Sequence, residues 1–183
     1  MLETILFAFL FARIKGYKVK PLFKIWCIYP PLIFTVYYIF LNIKIILGYY
    51  GAIQYASIIE TFYILSFIPL ILKLKLYKSA IWGSLAIFTG SLLNKIAMFY
   101  NGGKMPVFPS LSYITGYVKP DSFTKVNDIH ILGDSNTQLK FLTDIFDLGY
   151  SILSVGDIFI RLFTFIILYN SIKTMKGRAT SYA

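Results

Sequence analysis

The sequence predicts an all-α membrane protein, a single polytopic domain over residues 1–183 in which a compact bundle of about five transmembrane helices carries a structured extracytoplasmic loop. Hydrophobic residues make up 57% and charged residues 14% of the chain, whereas soluble domains are about 45–50% apolar and about 25% charged. The apolar residues form long runs, and the basic residues lie in short clusters between them. Because that pattern orients proteins in bilayers, we expect the chain to be embedded in a membrane.

The apolar runs give the positions of the helices. They predict spans at about residues 2–13, 25–47, 52–72, 79–100 and 148–170. The first run would cover only about 18 Å of a hydrocarbon core of about 30 Å, so it is either a tilted span or an interfacial helix. No basic segment precedes it, so we expect no cleaved signal peptide. Pro30 and Pro31 predict a kink near the start of the second span.

The loop 101–147 is expected to be folded, because apolar side chains and turn residues are spread through it. Leu139, Leu142 and Phe146 recur at helical spacing, which predicts a helix from about Thr137 that continues into the last span. The residues from Asp134 to Thr137 are typical of a helix N-cap, so we expect that helix to begin there.

The basic clusters predict the orientation in the membrane. Residues 13–24, 73–78 and 171–183 contain five, three and three Lys or Arg and no acidic residue, whereas residues 101–147 contain four Lys and five Asp. Because short loops rich in Lys and Arg stay in the cytoplasm, we place the N-terminus outside, the C-terminus inside and the loop on the extracytoplasmic side. If residues 2–13 only lie on the surface, four spans remain and the loop keeps its side.

The formal net charge of +10 does not indicate a nucleic-acid partner. Binding to nucleic acid needs a basic face or stripe on a soluble fold, and here the basic residues alternate with membrane spans. We therefore expect the lipid bilayer to be the main partner. Cys27 is the single cysteine, so the chain has no internal disulfide.

Small and amide side chains form a stripe along the fourth span. They follow one another at spacings of 3, 4, 4, 3 and 4 residues and are Gly83, Ala86, Gly90, Asn94, Ala97 and Asn101. Such a stripe lets two helices approach closely in lipid; alternatively, its amides line a polar crevice that opens outward. The residues predicted to form this binding crevice are Asn94, Asn101, Gly102, Gly103, Met105, Pro106, Asp157 and Arg161.

Five ionisable residues are predicted within the membrane. Asp157 and Arg161 are four residues apart, about halfway through the last span, where they form either a structural ion pair or a functional site. Lys44 and Lys95 lie about one turn from the outer helix ends and could reach water, whereas Glu60 lies deeper. Glu60 therefore needs a partner, either Lys95 or Lys44, or belongs to a proton relay.

The loop contains the only histidine, His130, in a segment rich in carboxylates. His130, Asp134 and Asp144 are candidate catalytic residues, because a histidine titrates near neutrality and a carboxylate can share its proton or bind Mg or Mn. The alternative is a solvated loop histidine. The spacing matches no specific metal-ligand motif, so the sequence assigns no metal site and no cofactor.

Four short segments carry a resemblance to a known family. They are Asn101-Gly-Gly-Lys-Met-Pro-Val107, His130 with Gly133-Asp134, Thr143-Asp144, and Ser154-Val-Gly-Asp157 with Ile158. In these segments the chain resembles a family of small bacterial integral membrane proteins of unknown function, whose signature is the Asn-Gly-Gly-x-Met-Pro block. The resemblance implies a bacterial cytoplasmic-membrane protein, and it implies no activity.

Three functions are compatible with the sequence, and whether the protein is an enzyme stays open. The first is a non-catalytic accessory or sensory component that binds a membrane protein partner or a lipid headgroup at the outer crevice. The second is a membrane enzyme that acts at the outer interface on a lipid-linked or peptide substrate. The third is an ion or proton pathway along the intramembrane charges. No reaction motif is visible, so we rank the first function highest.

Overall fold

The computed structural model describes residues 1–49, 51, 55–119, 122–125 and 129–180 and is mostly helical. The helices are α1 (Leu2–Ile14), α2 (Tyr29–Ile46), α3 (Ala56–Leu65), α4 (Ile68–Leu74), α5 (Tyr77–Tyr100), α6 (Leu111–Thr115), α7 (Ser122–Lys125) and α8 (Val155–Thr180). The strands are β1 (Met105–Val107), β2 (His130–Leu132), β3 (Phe146–Asp147) and β4 (Ile152–Leu153). Short 3₁₀ helices cover Lys20–Lys24, Trp26–Ile28 and Lys140–Leu142. The start of the third expected span, residues 52–54, lies outside the described residues.

Three helices in the described part of the chain are long and apolar enough to cross a membrane. They are Trp26–Ile46, Tyr77–Tyr100 and Val155–Lys176. Large apolar side chains on their surfaces are exposed, as on Phe88 of α5, which is the pattern of helices that face lipid. α1 has 13 residues and covers about 20 Å, which is too short for a straight crossing.

The two prolines of the second expected span start α2 instead of bending it. Tyr29 is the first residue of α2, so Pro30 and Pro31 occupy its first turn. The first amides of a helix have no partner within it, and a proline there loses no hydrogen bond. The predicted kink is therefore replaced by a helix start.

The third expected span is divided into two helices. α3 has 10 residues and α4 has 7, and each alone is shorter than a crossing of about 20 residues. Pro69 explains the break, because it lacks the amide that would bond to Leu65 and its ring collides with that carbonyl. Ser66 Oγ donates to the Tyr63 carbonyl at 2.5 Å at the same point.

The helix expected from Thr137 is not formed, and the last helix begins later than predicted. Leu139 has a left-handed backbone, φ 47, and Gly149 has φ 82, so neither continues a helix. On either side of Gly149, β3 pairs with β4 as an antiparallel hairpin. α8 therefore begins at Val155 and not near Leu148.

The chain forms two compact units. The first contains Met1–Tyr38, Ile59–Ile87 and Arg161–Ala183, and the second contains Ile39–Ile58 and Phe88–Ile160. The core of the first unit is aromatic: Phe67 makes edge-on contacts with Tyr63 and Phe163 at ring separations of 5.4 and 5.6 Å. In the second unit β1 pairs in parallel with β2, and Val107 also bridges to Asp144.

Candidate functional site

The Asn-Gly-Gly sequence after α5 is a helix C-cap. The Gly103 amide donates to the Met98 carbonyl at 2.8 Å, and Gly102 and Gly103 have left-handed backbones, φ 64 and φ 80. This is the Schellman arrangement, which favours glycine because a side chain is strained in that conformation. The two glycines thus turn the chain from α5 into β1.

Asn101 ties this turn to a distant part of the loop. Its Nδ2 donates to the Gln138 carbonyl at 2.9 Å, and its Oδ1 accepts from the Gln138 amide at 2.9 Å. The same Nδ2 also donates to the Ala97 carbonyl at 2.8 Å. Both the Oδ1 and the Nδ2 of Asn101 are therefore hydrogen-bonded to backbone groups of the same chain.

β1 is the strand that brings the loop together. On one side it places Met105 opposite His130 of β2. On the other side the Asp144 amide donates to the Pro106 carbonyl at 3.1 Å, and the Phe108 amide donates to the Asp144 carbonyl at 2.9 Å. Met105 and Pro106, two residues of the predicted crevice, are buried in this arrangement. His130 and Asp144 come to lie on the two sides of the same strand.

His130 and Asp144 form a side-chain pair. His130 Nε2 lies 3.6 Å from Asp144 Oδ2, and the side chains are 39% and 5% exposed respectively. A carboxylate this close to an imidazole nitrogen can exchange a proton with it after a small movement of either side chain. The structure therefore brings together two of the three predicted acid–base residues, in a geometry that can hold a proton at a ring nitrogen.

Tyr117 lies near the same carboxylate, and the sequence did not indicate it. Burial, together with the negative charges of Asp144 and Asp147, raises the pKa of Tyr117 to about 12. The Tyr117 hydroxyl therefore keeps its proton at neutral pH and is able to donate a hydrogen bond.

Asp134, the third predicted acid–base residue, closes a local turn. Its Oδ1 accepts from the Asn136 amide at 2.9 Å and from Thr137 Oγ1 at 3.3 Å. The expected N-cap is thus a turn that is not followed by the predicted α-helix. Among the described residues, no three His, Cys, Asp or Glu side chains are grouped closely enough to hold a metal ion.

Asp147 holds α6 in place. Its carboxylate accepts from the Ser110 amide at 2.6 Å, the Ser112 amide at 2.8 Å, Ser112 Oγ at 2.6 Å and the Gly149 amide at 2.7 Å. Partial burial acts to raise the pKa of Asp147, but these hydrogen bonds outweigh it and hold the pKa below its ordinary value. Asp147 therefore satisfies amides at the start of α6 that have no partner within that helix.

Replacing Asp147 with Asn should destabilise the loop at neutral pH by about 1.5–3 kcal/mol, the usual contribution of hydrogen bonds to a charged group. Because the folded pKa is lowered, this stability is present above the unfolded pKa of about 4 and is lost as pH falls through the folded pKa. Thermal unfolding in neutral detergent between pH 7 and pH 3 measures the difference, which should shrink with acidification. Asp134→Asn is the control, and a larger effect of that variant would contradict the assignment.

Ser154 and Asp157 form a capping box at the start of α8. Ser154 Oγ accepts from the Asp157 amide at 2.9 Å, and Asp157 Oδ2 accepts from the Ser154 amide at 3.0 Å. Asn94 of α5 completes the network: its Nδ2 donates to Asp157 Oδ1 at 2.9 Å, and its Oδ1 accepts from Ser154 Oγ at 2.7 Å. Asp157 therefore lies in the first turn of α8 and not halfway through the span.

Two glycines of the small-residue stripe of α5, Gly83 and Gly90, pack against α8. A Cβ built on Gly90 would collide with the Gly156 carbonyl, and a Cβ on Gly83 would lie 2.6 Å from the Phe163 ring. Only glycine permits these approaches. Of the two interpretations of the stripe, close helix packing is the one that these contacts support.

The charges predicted within the membrane differ in their surroundings. Arg161 pairs with Glu3 of α1, a partner that the sequence did not suggest. Lys44 is exposed and lies over the Phe40 ring at 5.1 Å. Lys95 is exposed as well, and Glu60 is half-buried. Both lysines therefore lie on the surface of the described structure.

Long apolar helices with exposed apolar surfaces define a membrane protein, and the polar residues around β1 form its folded loop. The family of unknown function DUF5317 matches residues 19–169. The chain belongs to this family. No curated protein and no solved structure matches the chain.

Proposed function

We propose that this protein is a multi-pass component of a bacterial cytoplasmic membrane with a non-catalytic accessory or sensory role, and that its folded loop binds a membrane protein partner. The N-terminus would lie outside, the C-terminus inside and residues 101–154 outside. The charge distribution supports this orientation, since residues 13–24 and 73–78 hold eight basic and no acidic residues.

Helix lengths support the proposed number of transmembrane segments. Besides the three long helices, α3 and α4 together span Ala56 to Leu74 and would form a fourth, broken crossing. α1 begins beside Arg161, the seventh residue of α8. It would be the fifth membrane segment, although its length is too short for a straight crossing of the bilayer. The proposed side of the loop is the same whether α1 crosses or not.

The observation that carries the non-catalytic role is the use of the loop's polar side chains by the loop itself. The carboxylate of Asp147 and the amide of Asn101 are hydrogen-bonded to backbone groups tens of residues away. Asn94 and Asp157 are bonded to each other and to Ser154. These residues thus stabilise the fold, while large apolar side chains of the loop, such as Ile114 and Phe141, are exposed and suited to a partner.

Photo-crosslinking in cells tests this role. The photoreactive amino acid p-benzoylphenylalanine, incorporated in place of Phe141, should give an adduct of one discrete mass with another membrane protein. The same amino acid at Phe88, which is similarly exposed on α5, is the control and should give lipid adducts. Lipid adducts alone at both positions would overturn the proposed partner.

The His130–Asp144 pair favours a second candidate, a membrane enzyme at the outer interface. A partly exposed imidazole backed by a buried carboxylate is an arrangement that general acid–base catalysis uses. Membrane lipids and lipid-linked molecules from cells that overproduce the wild type should then contain a product that is absent with His130→Gln. An identical composition with both chains would count against the enzyme.

A further inference from the structure

A second polar site lies far along the chain from the loop, in the first unit. A cavity of ≈ 640 Å³ opens between the end of α1 and the segment that follows it. Its charged wall consists of Arg13, Lys18 and Lys20. Its apolar wall consists of Phe9, Tyr17 and Phe23. The described lining residues include no Asp or Glu, so the cavity favours an anion.

A helix C-cap at the end of α1 fixes part of the backbone that lines the cavity. The Gly16 amide donates to the Arg13 carbonyl and the Tyr17 amide to the Ala12 carbonyl, both at 2.9 Å, and Gly16 has φ 74. This complete Schellman motif turns the chain back at Gly16. It also satisfies carbonyls at the end of α1 whose partial negative charge would otherwise oppose an anion.

The aromatic residues fix the rest of the cavity. The rings of Phe9 and Phe23 meet edge-on at 5.8 Å, so the segment after α1 folds back against that helix. Leu22 is fully buried and anchors the segment in the core. Lys176 Nζ of α8 lies 5.1 Å from the Tyr17 ring and adds a fourth cation near the cavity.

We infer that this cavity binds a phosphate group, and that its apolar wall selects the headgroup of an anionic phospholipid. Arg13 can bond two phosphate oxygens at once, and the two lysines add point charges. Phe9 and Phe23 suit the glycerol and upper acyl carbons, which free phosphate lacks. Basic pockets beside membrane helices bind anionic headgroups in this way. This inference goes beyond the proposed function, since it does not involve the loop.

Titration calorimetry of the full chain in neutral detergent tests the site with three probes: dihexanoylphosphatidylglycerol, dihexanoylphosphatidylcholine and inorganic phosphate. The anionic lipid should bind at least about tenfold more tightly than the zwitterionic lipid and the free ion. The triple variant Arg13→Gln, Lys18→Gln, Lys20→Gln should weaken it on the order of 100-fold. The single variant Lys18→Gln should weaken it on the order of fivefold and serves if the triple variant does not fold.

The matched control is the triple variant Lys73→Gln, Lys75→Gln, Lys78→Gln, which removes the same charge from another basic connection. It should bind the anionic lipid as the wild type does. Equal loss in both triple variants, or equal binding of the two lipids, would overturn the site. Inorganic phosphate that binds as tightly as the anionic lipid would overturn the lipid as the source of the phosphate group.

Discussion

Replacing Glu3 with Leu is expected to lower the free energy of unfolding by up to about 3–5 kcal/mol, the cost of removing one partner of a fully buried ion pair. The Glu3 and Arg161 side chains are 21% and 13% exposed. Without the carboxylate, the guanidinium keeps its charge in a poorly solvated position, which is costly. Titration of the protein from neutral micelles into SDS, followed by circular dichroism, measures the loss.

Two further variants separate pairing from simple damage to α1. Lys18→Gln removes an exposed charge after α1 and should change the free energy of unfolding by no more than about 0.5 kcal/mol. Glu3→Leu combined with Arg161→Met removes both charges and should be more stable than Glu3→Leu alone. Strictly additive losses in the double variant would show that the two residues are not coupled.

Gly156→Ala is expected to destabilise the protein by about 1–3 kcal/mol or more, the usual cost of overpacking. A Cβ at Gly156 would overlap Asn94 Oδ1 and the Gly90 carbonyl. Alanine normally stabilises a helix by about 0.5–1 kcal/mol relative to glycine, so the sign of the effect reports the close contact. The same collision displaces Asn94 from the Ser154–Asp157 capping box. The unfolding assay used for Glu3 applies.

Gly51→Ala is the matched control for this prediction. A Cβ at Gly51 would meet no atom of the described residues within 4 Å, and its backbone is not left-handed. The control should therefore be close to the wild type in stability. A Gly156→Ala protein that is as stable as Gly51→Ala would contradict the close approach of α5 and α8 at Gly90.

The long helices could be predicted from the sequence, because a crossing helix needs a continuous apolar run. α5 begins two residues before the expected position and ends where expected. The break between α3 and α4 had a visible signal in Pro69, which the hydropathy of the run outweighed. The late start of α8 also had a signal, since Ser154 and Asp157 have the spacing of a capping box.

The contacts of the loop could not be predicted, because they join residues far apart in the chain. Asp147 reaches back 35 residues to Ser112, and nothing in the local sequence specifies that pairing. His130 and Asp144 were singled out as residue types, but their meeting depends on the register of β1 with its two neighbours. Glu3 was missed as the partner of Arg161 because the closer Asp157 satisfied the helical spacing.

The orientation of the folded loop is the central claim, and cysteine accessibility tests it most directly. In a Cys27→Ala background, single cysteines replace Ser135 in the loop and Lys78 in the first turn of α5, both of which are exposed. A membrane-impermeant maleimide should label the cysteine at position 135 in intact cells and the cysteine at position 78 only after permeabilisation. Labelling of position 78 and not 135 in intact cells would contradict the account.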